Sequence, residues 1–582
     1  MKGKMKKTVP LVLVIFLLSV NLFAAGEEGG KTMRVGMTQD LDSTSPFISW
    51  LVSGAELFSL IYDPLVSFNN DLKPVPHLAK EWSLSDDQLS WTFSLRDDVA
   101  FHDGQPLTSA DVKFTLEAFV ESELGMYASL LSGIESIECP DDYTVVIYTS
   151  EPKANMLMAG TPIVPEHIWK DVPFDELEIW ENESPVGSGP FQFVEYKQKQ
   201  YLKMKANDNY FRGRPLIDEV VWVFYANNDT MAQALRLGEI DAASNLSAQQ
   251  KRSLEADENI HVISAVIKGF TEIGFNCWDD PESGGNPLLL DKRIRQAIDW
   301  AVDKQTIIDV AYAGEGIAGS TLIDPGDYYH YVPSAAELRS FNIDKAKQIL
   351  DDAGYRDRNG DGIREDGEGN KLEFTFSLIS DNTEEVKAGQ MIAGMVKEAG
   401  IRLNVEVIDE SVLLDKTIAG EHDLFIWGWG ADLDPTTILA VMSTSEIGNM
   451  SDCFYSNPVY DELLEKQQTL MDEIERKAVV DEMQRILYED VPYSIITYDV
   501  TLQAVRTDRW TGWKQVPQDG PFFFGMTNYN YLNVGPVETV AGAPADGGSG
   551  GSATMIVVVV LAVLAAAVLI IVRKKRKDAE DD

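Results

Sequence analysis

Five residues of the stretch DRNGDGIREDGE, residues 357 to 368, fall on the positions that an EF-hand calcium loop requires: Asp357, Asn359, Asp361, Gly362 and Glu368. Side-chain oxygens at alternate positions can wrap one hard cation, with glycine allowing the sharp turn. A calcium sensor also needs a helix on each side of the loop. AKQILDDAG before it reads as a helix, but KLEFTFSLI after it alternates like a strand, and no second copy occurs. The apolar Ile363 stands at loop position seven, where an EF-hand usually keeps it at eight. The spacing therefore predicts an acidic helix-to-strand connection holding at most one structural Ca²⁺. Its ligands would be Asp357, Asn359, Asp361 and the carbonyl of Ile363, with Asp366 or Glu368 completing the shell. A turn without metal is the competing reading.

Other chemistry has little support. The histidines are His77, His102, His167, His261, His330 and His422, and no two lie four apart as a zinc-protease helix needs. VGSGPF lacks the spacing of a nucleophile elbow, and no Walker or G-x-G-x-x-G loop is present. Carboxylates are too many to single out an acid–base pair. No enzyme is expected and no cofactor is required. The net charge of −44 repels phosphate backbones, so nucleic acid is not an expected partner. Cys139, Cys277 and Cys453 are widely spaced and read as buried free thiols.

Both ends carry membrane signals. Residues 1–25 have a lysine-rich start, an apolar core and Ala24–Ala25, the pattern of a secretory signal peptide. Residues 536–553 form a Gly/Ser linker that would span roughly 25 Å as a random coil. The uncharged run at 554–572 is long enough to cross a bilayer, and RKKRK at 573–577 would hold the tail at 573–582 in the cytoplasm. The expected protein is extracytoplasmic, anchored by one C-terminal membrane helix.

Between these ends, strand and helix patterns alternate. TMRVGM, LSWTFSLR, YTVVIYT, FQFVEY, KLEFTFSLI and IRLNVEVI read as strands, and LTSADVKFTLEAFV is a helix with Thr108 as N-cap and Asp111 three residues on. DKRIRQAIDWAVDKQTIIDVAY carries Ile294, Ala297, Ile298, Ala301 and Val302 at helical spacing, and NIDKAKQILDDAG is a helix stopped by Gly354. NPVYDELL onward reads as a helix pair. A chain of 582 residues with this alternation is α/β with more than one lobe.

Five ordered blocks resemble the family 5 extracellular solute-binding proteins, the dipeptide and oligopeptide receptors of ABC importers. They are residues 61–119 with WTFSLRDD and FHDGQPLT, then VGSGPFQF, IRQAIDWAVDKQTII, DLFIWGWGADLDPTTIL and YSNPVYDELL. The resemblance covers about residues 32 to 532. It implies a two-lobed periplasmic-binding-protein type II fold with an inserted third subdomain and an interlobe cleft. Residues 32–65, 186–268 and 505–535 would form lobe I, 66–185 the insertion, and 269–504 lobe II. It also implies a peptide or other small solute as ligand, and permease subunits with cytoplasmic ATPases as partners. An oligosaccharide receptor of the same fold, a calcium-stabilised surface scaffold and an ectoenzyme are the alternatives.

DLFIWGW reads as a buried central strand, and ligands of open α/β sheets lie off the carboxyl ends of strands. The loop GADLDP follows. Asp434 before Pro435 suits a helix start and has a structural task; Asp432 has none. In peptide-binding relatives an Asp at about this place pairs with the ligand's α-ammonium group, and Asp432 is the match. Trp427 and Trp429 are read as lying on opposite strand faces, with Trp429, nearer the strand end, reaching the cleft. Trp278 is a further candidate for the cleft wall.

Overall fold

The computed structural model describes residues 31–380, 382–430, 433–523 and 528–537. The expected signal peptide, linker residues 538–553, the 554–572 span and the tail lie outside these. Among the described residues no helix is long and apolar enough to cross a membrane.

One sheet of eleven strands organises the described residues. Ten run in the spatial order Arg402–Ile408, Glu373–Ile379, Leu424–Gly430, Ile260–Phe275, Tyr493–Arg506, Ala242–Ala243, Thr32–Met37, Glu219–Phe224, Tyr201–Ala206 and Phe191–Lys197. The short strand Ile317–Ala318 pairs beside Tyr493–Arg506. The two long central strands belong to both halves. Residues 260–266 pair with 500–506, whose outer neighbour is Ala242–Ala243; residues 270–274 pair with 493–498, and Leu424–Gly430 lies on the far side of the former. The register breaks between Val266 and Phe270, where three residues oppose the single Asp499. Two lobes thus share two unbroken strands, the hinge design of a two-lobed binding protein.

A separate four-stranded sheet, in the order Ala79–Leu84, Ser90–Leu95, Thr144–Thr149, Ile134–Asp141, packs with helix Ser109–Ser122. Trp91, Phe93 and Leu95 alternate into its core as their spacing required. Asp111 accepts from the Thr108 N–H at 2.8 Å. Phe93, Phe119 and Ile147 continue into one apolar cluster with Leu57, Ile61, Phe191 and Trp222, so the smaller sheet and the first lobe share a core.

The 291–312 pattern is not one helix. Lys292–Ala301 ends at Val302, and Asp303 caps a second helix, Lys304–Val310, by accepting from the Thr306 N–H at 3.1 Å. An aspartate in the middle of an apolar repeat competes for the backbone and restarts the helix. The buried face expected from Ile294, Ala297, Ile298 and Ala301 is present. Helix Ile343–Asp352 closes before Gly354, which has φ +92°.

VGSGPF joins the elements of the first lobe. A Cβ on Gly187 would lie 2.0 Å from the Ile61 carbonyl oxygen, and one on Gly189 2.5 Å from that of Leu60, so only glycine lets this turn reach the end of helix Val52–Ile61. Between them Ser188 donates to Asp63 at 2.7 Å. Asp63, 1 % exposed, also accepts from the Tyr210 hydroxyl at 2.9 Å and faces His77 Nε2 at 2.7 Å. Serine, histidine and aspartate are all present, but the hydroxyl bonds the carboxylate and not the imidazole, so no nucleophile is activated. Burial pushes the Asp63 carboxyl up, and His77 with the Ser188 and Tyr210 bonds outweighs it and holds the group below its usual range. Asp63→Ala should therefore lower stability by about 3–5 kcal/mol, because it strands His77 and the two hydroxyls in the core. Urea unfolding of the full-length protein checks this; a loss under about 1 kcal/mol would contradict the network's role.

Candidate functional site

The strands Glu373–Ile379 and Leu424–Gly430 run parallel, Phe376 and Ser377 opposite Leu424 and Phe425, so the second runs on past the end of the first. Two cavities open near their carboxyl ends, where a ligand of an open α/β sheet is expected. The first, about 370 Å³, is walled from three separate parts of the chain: Leu157 beside the smaller sheet, Tyr328, Tyr329, Leu433 and Arg476 from the second lobe, and Pro517. Opposite walls are held together at its edge. Ala154 N–H donates to the Gln468 carbonyl at 3.0 Å, and Lys73 pairs with Glu473 at 2.5 Å. The lysine pair is half exposed and contributes little.

Asp432 lies outside the described residues. Its neighbour Asp434 lines the first cavity, but its carboxylate is already engaged within the protein. It is 3 % exposed, accepts from the Thr436 N–H at 3.0 Å at the start of helix Thr436–Ala440, and takes both arms of Arg476 at 2.6 and 2.9 Å. Burial pushes its carboxyl up, and Arg476 more than reverses this. The expected capping task is there, one residue further from the helix than the Asp–Pro pattern suggested. The arginine had no signal in the sequence.

The two indoles correct the reading of the strand. Trp427 and Trp429 are two residues apart, and on a pleated strand such residues share a face. They pair with Glu272 and Phe270, which share that face too. Trp429 donates to the Tyr493 hydroxyl at 3.0 Å and to Asp452 at 3.2 Å, tied into the wall. Trp427 lines the second cavity, about 580 Å³. Trp278 stacks on Phe454 with ring centroids 4.5 Å apart. Its neighbour Asn276 bonds Asp423 at the opposite end of the strand, so Trp278 stands about 20 Å from Gly430 by strand rise.

Sequence reading passed over the acids around these indoles. Glu272 has 0 % exposure and neither carboxyl oxygen has a hydrogen-bond partner. Burial, then the charges of Asp452, Asp499 and Glu385, push it well above the carboxylate range. Burial brings Asp452 and Asp499 each up to about 6, and burial with the charges of Asp499, Glu410 and Glu384 brings Glu385 to about 7. A single Glu within the apolar run GFTEIGF was the available signal.

The acidic loop satisfies itself. Asp357 accepts from the Gly360 and Gly362 N–H groups at 2.7 and 2.9 Å, Asn359 from Asp361 at 2.8 Å, and Asp361 from Ile363 at 2.9 Å while pairing with Lys371. Asp366 takes the Glu368 and Asn370 amides at 2.8 and 2.9 Å in a separate turn. Ile363 is 1 % exposed, so position seven is apolar because it fills the core. Among the described residues no three His, Cys, Asp or Glu side chains form a metal cage. As arranged the loop does not fit calcium, which would have to displace Lys371 and the loop's own amides.

The acids with raised values bind protons more tightly folded than unfolded, so their stability contribution is full below about pH 4 and is lost as pH rises to about 7. Glu272→Leu should reduce that loss and raise stability at pH 7.5 by about 1–3 kcal/mol, since it removes an orphaned carboxyl. Melting of both proteins from pH 4 to 8 checks this; an unchanged slope with a lower Tm would contradict it. The loop's closed hydrogen bonding predicts one Tm in EDTA and in millimolar calcium. A calcium-dependent rise would show that the loop rebuilds around an ion.

Comparisons with known proteins agree with this architecture. Residues 73–449 match the family model described as bacterial extracellular solute-binding proteins, family 5 Middle. The chain is 27 % identical over 534 residues to oligopeptide-binding protein AppA of Bacillus subtilis, covering 88 % of this chain and 96 % of that one. The structure of AppA from Bacillus subtilis in complex with a nonapeptide superimposes with a TM-score of 0.70 at 25 % identity, covering 88 % of this chain and 99 % of that chain. NikZ from Campylobacter jejuni in complex with Ni(L-His) superimposes with a TM-score of 0.73 at 23 % identity, covering 87 % and 99 %, a likeness of fold.

Proposed function

The chain belongs to family 5 of the bacterial extracellular solute-binding proteins, and we propose that it captures peptides between its lobes and delivers them to the permease of an ABC importer. The family binds solutes without catalysis and works outside the cytoplasm. The observation that carries the peptide reading is the cavity of about 370 Å³ walled by both lobes and the smaller sheet, in a chain similar along nearly its whole length to an oligopeptide-binding protein. A ligand held by three walls favours the closed state by its differential affinity for it.

In this reading Asp432 anchors the peptide's α-ammonium group. In sequence it stands two residues after the strand Leu424–Gly430, and the nearby Asp434 is already neutralised by Arg476. The Gly/Ser stretch, the uncharged residues 554–572 and RKKRK support a receptor tethered to the membrane by its C-terminal segment.

The test is a double cycle on the full-length protein with tetra-alanine, free or N-acetylated. Asp432→Asn should weaken the free peptide roughly 30-fold or more, the size of losing one partner of a buried charge pair, about 2–5 kcal/mol. Acetylation should weaken the wild type similarly, and the two losses should not add. Equal binding of free and acetylated peptide would show that the amine is not the anchor, and would move the assignment to another small solute. Scattering should give a smaller radius of gyration with saturating peptide; an unchanged radius would count against closure.

A further inference from the structure

The first cavity is apolar once its charges are paired off. Four charged groups in its wall close on one another: Arg476 on Asp434 at 2.6 and 2.9 Å, and Lys73 on Glu473 at 2.5 Å. Each of these cations also stands over a tyrosine ring of the same wall, Arg476 over Tyr329 at 5.1 Å and Lys73 over Tyr328 at 4.8 Å. Asp327 accepts from the Tyr329 N–H at 2.7 Å, and Asp71 is exposed to water. The rest of the wall is apolar, led by Leu157, Met158, Leu433 and Met471 with the two tyrosine rings, which meet edge to face at 5.2 Å. Leu157, Met158 and Met471 are only partly buried, so they have surface left for a ligand to cover. Leu433 and Asp434 belong to the loop that carries Asp432, so this cavity and Asp432 are joined by the chain itself.

A charged side chain entering here would give up water and find the facing charges already taken. A large apolar one covers carbon and needs no partner. Methionine thioethers reshape around a ring and favour its edge, and a ring packs on tyrosine in offset or edge-on geometry. At about 370 Å³ the cavity stands at the small end of ligand pockets, roughly 300–1,000 Å³, so it suits one large side chain and the backbone beside it. We propose that this cavity is a side-chain subsite that selects a large apolar residue of the peptide, above all an aromatic one, packed against Tyr328 and the thioethers of Met158 and Met471. The inference rests on the peptide reading above and deepens it, from peptides in general to peptides with a bulky apolar residue.

Calorimetry of the full-length protein at pH 7 tests this with tetra-alanine variants. Phenylalanine is placed in turn at each of the four positions, and each peptide is matched by one with lysine and one with glutamate at the same place. At least one phenylalanine peptide should bind tenfold or more tighter than tetra-alanine, while lysine and glutamate at that position bind no tighter than alanine. The ratio of phenylalanine to alanine affinity should fall at least threefold in Tyr328→Ala, a residue 45 % exposed whose ring the fold does not need. In Met158→Glu, which puts an unpaired charge into the apolar wall, the ratio should fall to about one. Equal affinity for phenylalanine and alanine at all four positions, tighter binding of a lysine or glutamate peptide than of its phenylalanine match at every position, or a ratio that both variants leave unchanged would overturn the inference while leaving the peptide reading intact. Failure of every peptide to bind would overturn the peptide reading, and the inference with it.

Discussion

Everything in the ligand-binding architecture depends on two strands that do not stop at the lobe boundary. Ile260–Phe275 and Tyr493–Arg506 keep their mutual pairing on both sides of a short irregular step. Backbone hydrogen bonds on each side fix the orientation of each half, while the step, with Gly269 on one strand and Asp499 on the other, is where pairing lapses. A Cβ on Gly269 would lie 2.9 Å from the Trp429 carbonyl oxygen, so the close approach of strand Leu424–Gly430 requires glycine there. The step is only a few residues long, the length over which a hinge absorbs a change of angle.

Past that step the two faces of the strands differ in kind. Ile273, Phe275, Leu424 and Ile426 pack on helices Lys292–Ala301 and Thr383–Lys397 in an apolar cluster. The opposite face of the same strands carries Glu272, Trp427 and Trp429. Burying unpaired acids there opposes folding, and the lobes offset it with apolar cores and with clips such as Arg476–Asp434.

Much of the periphery was legible in the sequence because its strands are buried on one face. WTFSL and TVVIYT alternate cleanly, and the alternation is the burial pattern. The two hinge strands were not read at all. Tyr493–Arg506 is buried on both faces for nearly its whole length, so it has no period to recognise. At the site, Asp434 was read as structural from its Pro435 neighbour, and the structure gives it that work. The indoles were misassigned to opposite faces, an error of strand period that spacing alone should have prevented. Arg476, Asp452 and Glu272 act across 42, 41 and more residues of chain or through burial alone, and no local pattern announces them. The EF-hand spacing was real, but the same residues make turns when each carboxylate faces its own backbone amides.

Hydrogen–deuterium exchange on the full-length protein, with and without a tryptic peptide mixture, tests capture between the lobes most directly. The account predicts that added peptide slows exchange together in residues 154–158, 326–329, 427–436 and the hinge step at 266–270, because one ligand closes all the walls at once. Slowing confined to one lobe, or none at saturating peptide, would contradict it.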